Sequence, residues 1–178
     1  MMDYRHIPPP HPASLTGEEL LEQCEWGRQR GGGPGGQHRN KVETMVRVLH
    51  EPTGIEAHAG ERRSAEENKR VAVWRLRLAL AVQVRTPVPA GEVRSALWLR
   101  RCPEMGGGII TCNPEHADYP SLLAEAMDVI HAAEGDVKRA ALRLCCSMSQ
   151  LVKLLKDHPP ALMRVNAERV EGGMHPLK

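Results

Sequence analysis

The apolar positions of this chain change period once. From Gln23 to Ala59 they come in short runs that suit strands: Gln23 to Arg30, Met45 to His50, and Ile55 to Ala59. Glu51-Pro52-Thr53-Gly54 is a turn by its proline and glycine, so the third run folds back antiparallel to the second. From Ser64 the spacing becomes helical. Val71, Trp74, Leu78 and Ala81 fall on one face of a helix reaching about Gln83, and Ser64 with Glu67 makes a capping box at its start. Thr16 with Glu19 makes another, opening a short helix near Gly17. Residues 85 to 108 are richer in Pro and Gly, with a short helix or strand around Ala96 to Leu99, and Gly108 to Cys112 allows one more strand. Helical spacing then returns, from Tyr119 to about Ala133 and from an Asp136 cap to Leu144. A Ser147-capped helix follows with Leu151, Leu154 and Leu155 inward, and a last helix covers Ala161 to Val170.

These elements predict an α+β fold. A small antiparallel sheet carries the long helix on one face, with a glycine loop protruding, and a helical module follows. The expected divisions are an extended or disordered Pro- and His-rich start at 1–15, a sheet-and-helix domain at 16–84, a connector at 85–112 and a helical module at 113–178.

Composition adds three constraints. There is no Phe, so the core rests on Leu, Val, Ile, Ala and Met. Net charge is only +2, but Trp26 to Arg85 holds twelve Lys/Arg against six acids, whereas Arg101 to the end holds nine against ten. That asymmetry points to a polyanion partner for the first part, with a solvated helix face an equal account of Arg75 and Arg77. Five cysteines, an odd number with no CxxC, argue against a disulfide framework and for a reducing cytoplasm. Cys102, Cys112 and His116 match no standard zinc spacing, so neither metal nor cofactor is expected. No membrane span or signal peptide is expected, and the chain reads as a monomer.

The richest chemistry lies in Arg30-Gly31-Gly32-Gly33-Pro34-Gly35-Gly36-Gln37-His38-Arg39-Asn40-Lys41. A phosphate-binding loop would want Lys-Ser or Lys-Thr after its last glycine, and a dinucleotide loop would want a helix next; here a strand follows. Two glycines let backbone approach a crowded reaction centre where a side chain would clash. A backbone N–H beyond them can face a developing oxyanion, and a neutral Gln amide can hold a water. His38, Arg39, Asn40 and Lys41 add donors for phosphates. The set suits delivery of water to an ester lying among nucleic-acid groups.

The flanks carry a resemblance. Arg30, Gly33-x-Gly35-Gly36-Gln37-His38-x-Asn40-Lys41, Val46-Arg47, His50-x-Pro52-Thr53-Gly54-Ile55, Arg63-Ser64 and Asn68-Lys69 closely resemble the catalytic domain of class I peptide chain release factors and their rescue-factor relatives. The match covers about residues 23 to 83. It implies a loop that enters the ribosomal peptidyl transferase centre and hydrolyses peptidyl-tRNA. By resemblance the backbone N–H of Gln37 is the stabilising donor, its side chain admits water, and Gly35 and Gly36 hold the loop's shape. Gln37 is also a candidate for N-methylation by a glutamine methyltransferase. The RNA-contacting set implied is Arg28, Arg30, His38, Arg39, Asn40, Lys41, Arg47, Arg62, Arg63, Ser64, Asn68 and Lys69. Ala65 stands where the family usually has Gln, and Arg39 where a small apolar residue is usual.

Only about 22 residues precede the match, so stop-codon decoding is not expected, and codon-independent rescue of stalled ribosomes is. No Lys/Arg-rich tail follows. Ala141, four residues before Cys145, with Ser147-Met148-Ser149-Gln150-Leu151, resembles a helix-turn-helix whose second helix presents Ser149, Gln150, Lys153 and Lys156. Two readings stay open for it, nucleic-acid binding through Lys153 and Lys156 or plain packing. For the whole chain the alternative is a non-catalytic ribosome- or tRNA-binding module, against which the intact Gly-Gly-Gln argues.

Overall fold

A computed structural model describes residues 4–29, 44–91, 93–103 and 107–178. In chain order the elements are β1 (Arg5–His6), α1 (Gly17–Leu21), β2 (Cys24–Gln29), β3 (Met45–His50), β4 (Ile55–Ala59), α2 (Ala65–Gln83), β5 (Val84–Arg85), α3 (Ala96–Arg101), α4 (Tyr119–Ala132), α5 (Val137–Arg143), α6 (Met148–Lys156) and α7 (Pro159–Glu171). The fold is α+β. The chain divides into two compact units, Leu15–Leu80, and Ala81–Lys178 together with the described residues up to Ser14.

In the first unit β2, β3 and β4 form an antiparallel sheet in that order, with Trp26 opposite Val48 and Val46 opposite Ala59. β3 buries alternate residues, Val46, Val48 and His50, as a strand with one covered face must. α2 lies against this sheet through three ties: the Asn68 amide donates to the Thr44 carbonyl at 2.6 Å, Arg75 donates to the His58 carbonyl at 2.9 Å, and Lys69 sits 3.7 Å from the Trp26 ring centre. Its fully buried positions include Ala72, Leu76 and Leu80, each apolar group contributing about 1.5–3 kcal/mol for a Leu-sized side chain. Of the expected face, Leu78 and Ala81 are buried and Val71 and Trp74 only half-buried, and the Asn68-Ala72-Leu76-Leu80 line shares the inner side. α1 carries the full Thr16–Glu19 capping box. At Ser64 only the hydroxyl's acceptance from the Glu67 N–H, at 3.4 Å, is present.

The β3–β4 turn is built around a buried imidazole. His50 meets Thr53 Oγ1 at 2.7 Å and Gln23 Oε1 at 3.1 Å, and its carbonyl accepts from the N–H groups of Thr53 and Gly54. Gly54 sits at φ +63°, open to glycine without cost. Burial lowers the His50 pKa. The native state therefore keeps the ring neutral, while the unfolded chain takes up a proton near pH 6.5. Stability is then complete above about pH 6.5 and declines as pH falls below it, because the unfolded state binds the extra proton. Urea midpoints should drop between about pH 7 and 5, and less so in His50→Gln.

The second unit holds α3 to α7 and a short parallel pairing of β1 with β5. The Pro- and His-rich start is tied in here: the His11 ring meets the Val84 carbonyl at 3.2 Å, and Pro12 and Ala13 are buried. Tyr119, Leu122, Leu123, Met127, Ile130, Leu144, Leu151 and Leu155 form the helical core. The expected strand at Gly108–Cys112 is absent: a single parallel bridge joins Gly108 to Cys146. The α5–α6 turn is closed by that bridge and by Trp98 Nε1, which donates to the Leu144 carbonyl at 3.0 Å. Cys145 adopts φ +52°, so it takes the left-handed conformation usually supplied by glycine in a helix-turn-helix.

Candidate functional site

Gln29 pairs with Met45 at the end of β2 and β3. The segment carrying Gly35, Gly36 and Gln37 thus leaves and rejoins the sheet at neighbouring positions. The expectations at Arg30, Gly35, Gly36, Gln37, His38, Arg39, Asn40 and Lys41 fall outside the described residues.

The flanking residues divide into two groups. Arg28, Arg62 and Arg63 are exposed. Lys69 lies over Trp26, which is 44% exposed and paired opposite Val48 on the same side of the sheet. This pair forms an aromatic and cationic surface on β2, and no motif in the sequence singles out Trp26. An exposed indole under a lysine can stack a base, a contact of about 1–3 kcal/mol. Arg47 is half-exposed and already paired with Glu56, its Nε donating at 2.7 Å. Lys69, Arg70 and Arg77 line a groove along α2 with Thr16, Trp74 and the acids Glu18 and Glu66, the last 3.8 Å from Arg70.

Asn68 needs a correction. It was expected to contact RNA, but it is 0% exposed. Its Oδ1 accepts from the Arg62 N–H at 2.9 Å, and its Nδ2 donates to the carbonyls of Thr44 and Arg62. It therefore positions two segments: Thr44, where the loop rejoins the sheet, and the Arg62-Arg63 turn. Asn68→Ala is expected to lower stability by about 1–3 kcal/mol in thermal unfolding, by stranding these groups. Ser64 similarly serves as a helix cap. Arg85, counted above among cations for a polyanion, is 1% exposed and faces inward. Its guanidinium donates to the carbonyls of Ala81 and Val82 at 2.9 and 3.0 Å and lies 4.0 Å from Asp128. Arg75 is paired with Glu61. Lys153 and Lys156 lie in the second unit, exposed on α6.

Cys102 is buried and Cys112 half-buried, and all five cysteines are free. Among the described residues no three His, Cys, Asp or Glu side chains gather as a metal site, and no helix is long and apolar enough to cross a membrane.

A three-stranded antiparallel sheet with one long helix against it, carrying exposed Arg28, Arg62 and Arg63, defines a small α+β domain. Residues 21–94 match the RF-1 domain. An uncharacterized mitochondrial peptide chain release factor-like protein of Saccharomyces cerevisiae is 38% identical over 94 residues, covering 52% of this chain and 59% of that protein. A chloroplastic peptide chain release factor of Arabidopsis thaliana is 43% identical over 72 residues, and peptide chain release factor 1 of Acidiphilium cryptum 45% over 63. These matches cover 40% and 35% of this chain. The chain spans little more than half of the yeast protein and 16% and 18% of the other two.

Proposed function

We propose that this protein hydrolyses the peptidyl-tRNA ester on the ribosome without reading a codon, releasing peptides from stalled complexes. The observation that carries the reading is Gly35-Gly36-Gln37 lying inside the RF-1 match, in the sequence that joins the paired strands β2 and β3. The Gln37 backbone N–H stabilises the oxyanion and its side-chain amide positions water, while ribosomal RNA supplies the rest of the site. Arg28, Arg62, Arg63 and Lys69 make phosphate or base contacts that seat the domain. Five free cysteines suit a reducing compartment such as the cytoplasm, and Gln37 is the residue a glutamine methyltransferase would modify. The test is release of labelled peptide from purified stalled ribosome complexes. Wild type is expected to release it and Gln37→Ala to lose release while still binding. Equal release by both proteins would overturn the reading.

A further inference from the structure

The charge of the C-terminal half is unevenly placed. Residues 101–178 are close to neutral, yet between Asp136 and Lys156 there are five basic residues, Lys138, Arg139, Arg143, Lys153 and Lys156, against one acid, Asp136. That stretch is α5, the turn and α6, with α4 packed against both helices. These three helices are arranged in the order of a helix-turn-helix, and α6 has a clear inner and outer side. Leu151, Leu154 and Leu155 are buried, whereas Met148, Ser149, Lys153 and Lys156 are exposed. Tyr119 locks this orientation by donating its hydroxyl to the Leu154 carbonyl at 2.7 Å. The outer side of α6 forms one wall of a groove completed by Leu177 and Lys178, and no acidic residue lines it.

From this we infer that the outer face of α6 is a second RNA-binding surface, which grips phosphodiester backbone through Lys153 and Lys156 and does not read base sequence. The inference rests on the ribosomal reading above for the choice of RNA. Charge complementarity selects a polyanion: lysines lie beside the small Ser149 and the apolar Val152, in a groove lined by no Asp or Glu. The side chains present favour backbone contact over base readout. No Arg or Asn lines the groove, and the one amide on α6, Gln150, is committed, its Oε1 accepting from the Ile110 N–H at 3.3 Å. Lysine point charges with a hydroxyl position a backbone without specifying sequence. A-form RNA presents such a backbone while closing its major groove to a helix, so α6 would lie across phosphates.

The test uses the full chain and a labelled RNA hairpin, with duplex DNA of the same sequence alongside. Lys153→Glu with Lys156→Glu should weaken hairpin binding by about 10-fold or more near physiological salt and make the salt slope shallower by about two. Lys153→Arg with Lys156→Arg should bind as wild type. Both lysines are exposed, so unfolding temperatures should stay unchanged. Gln37→Ala should bind the hairpin normally. Loss of hairpin binding in the glutamate variant therefore supports this surface even if no protein releases peptide. Unchanged hairpin affinity in the glutamate variant overturns the inference and leaves the groove to an acidic protein segment. Tighter, sequence-dependent binding to duplex DNA overturns the assignment to RNA.

Discussion

Replacing Asp128 by leucine is expected to destabilise the helical unit by about 3–5 kcal/mol, seen as a lowered urea midpoint at neutral pH. Asp128 is 5% exposed and Arg85 1%, so the carboxylate is the nearest countercharge to a guanidinium with no access to water. The same carboxylate accepts from the Thr86 N–H at 3.2 Å and from the Thr86 hydroxyl. Leucine removes the countercharge and both acceptors. Asp128→Asn also removes the countercharge but keeps an acceptor for the Thr86 N–H, so it should cost less than leucine by about the value of that hydrogen bond, roughly 1 kcal/mol. Burial, outweighing Thr86 and Arg85, pushes the Asp128 carboxyl up to about 6. Its ordinary value is about 3.9, so between about pH 4 and 6 the native state binds more protons than the unfolded one. This group's contribution is thus largest in acid and declines as pH rises through 6, the reverse of His50. Asp128→Asn should flatten the stability profile of the helical unit in that window.

Gln37→Pro should lower peptide release by about 10²–10³-fold, or roughly 3–4 kcal/mol of transition-state stabilisation, with ribosome binding kept. Proline deletes the backbone N–H at the position where the oxyanion donor is proposed. Gln37→Ala keeps that N–H and loses only the amide that holds the water, so its release rate should fall less. The order wild type, Gln37→Ala, Gln37→Pro separates a backbone donor from a side-chain role. Rapid release by the proline variant would remove the backbone from the mechanism.

Much of the fold was legible because it rests on local signals. The β3–β4 hairpin follows from Pro52 and Gly54, α1 from the Thr16–Glu19 box, and α6 from Ser147 with Leu151, Leu154 and Leu155. The residues misread are those whose role depends on distant partners. Arg85 and Asp128 lie 43 positions apart, and no local pattern marks an arginine that will cap a helix end from within the core. Asn68 sits on the helix start like an exposed polar residue, and only its bonds to Thr44 and Arg62 show that it holds backbone. In the first half of α2 the inner face takes in Asn68 in place of Val71 and Trp74, which hydrophobic spacing alone does not reveal, while Leu78 and Ala81 are buried as expected. For the candidate site, the family motif named the chemistry, while the Trp26–Lys69 contact required the sheet register that places Trp26 on the helix side.

The central claim is hydrolysis without a codon. The direct measurement is the rate of peptide release by wild type from two purified ribosome complexes, one stalled at the end of a truncated message and one with a stop codon in place. Release from the truncated complex, no slower than at the stop codon and lost in Gln37→Pro, is the predicted result. Release only where a stop codon is present, or none from the truncated complex, would contradict it.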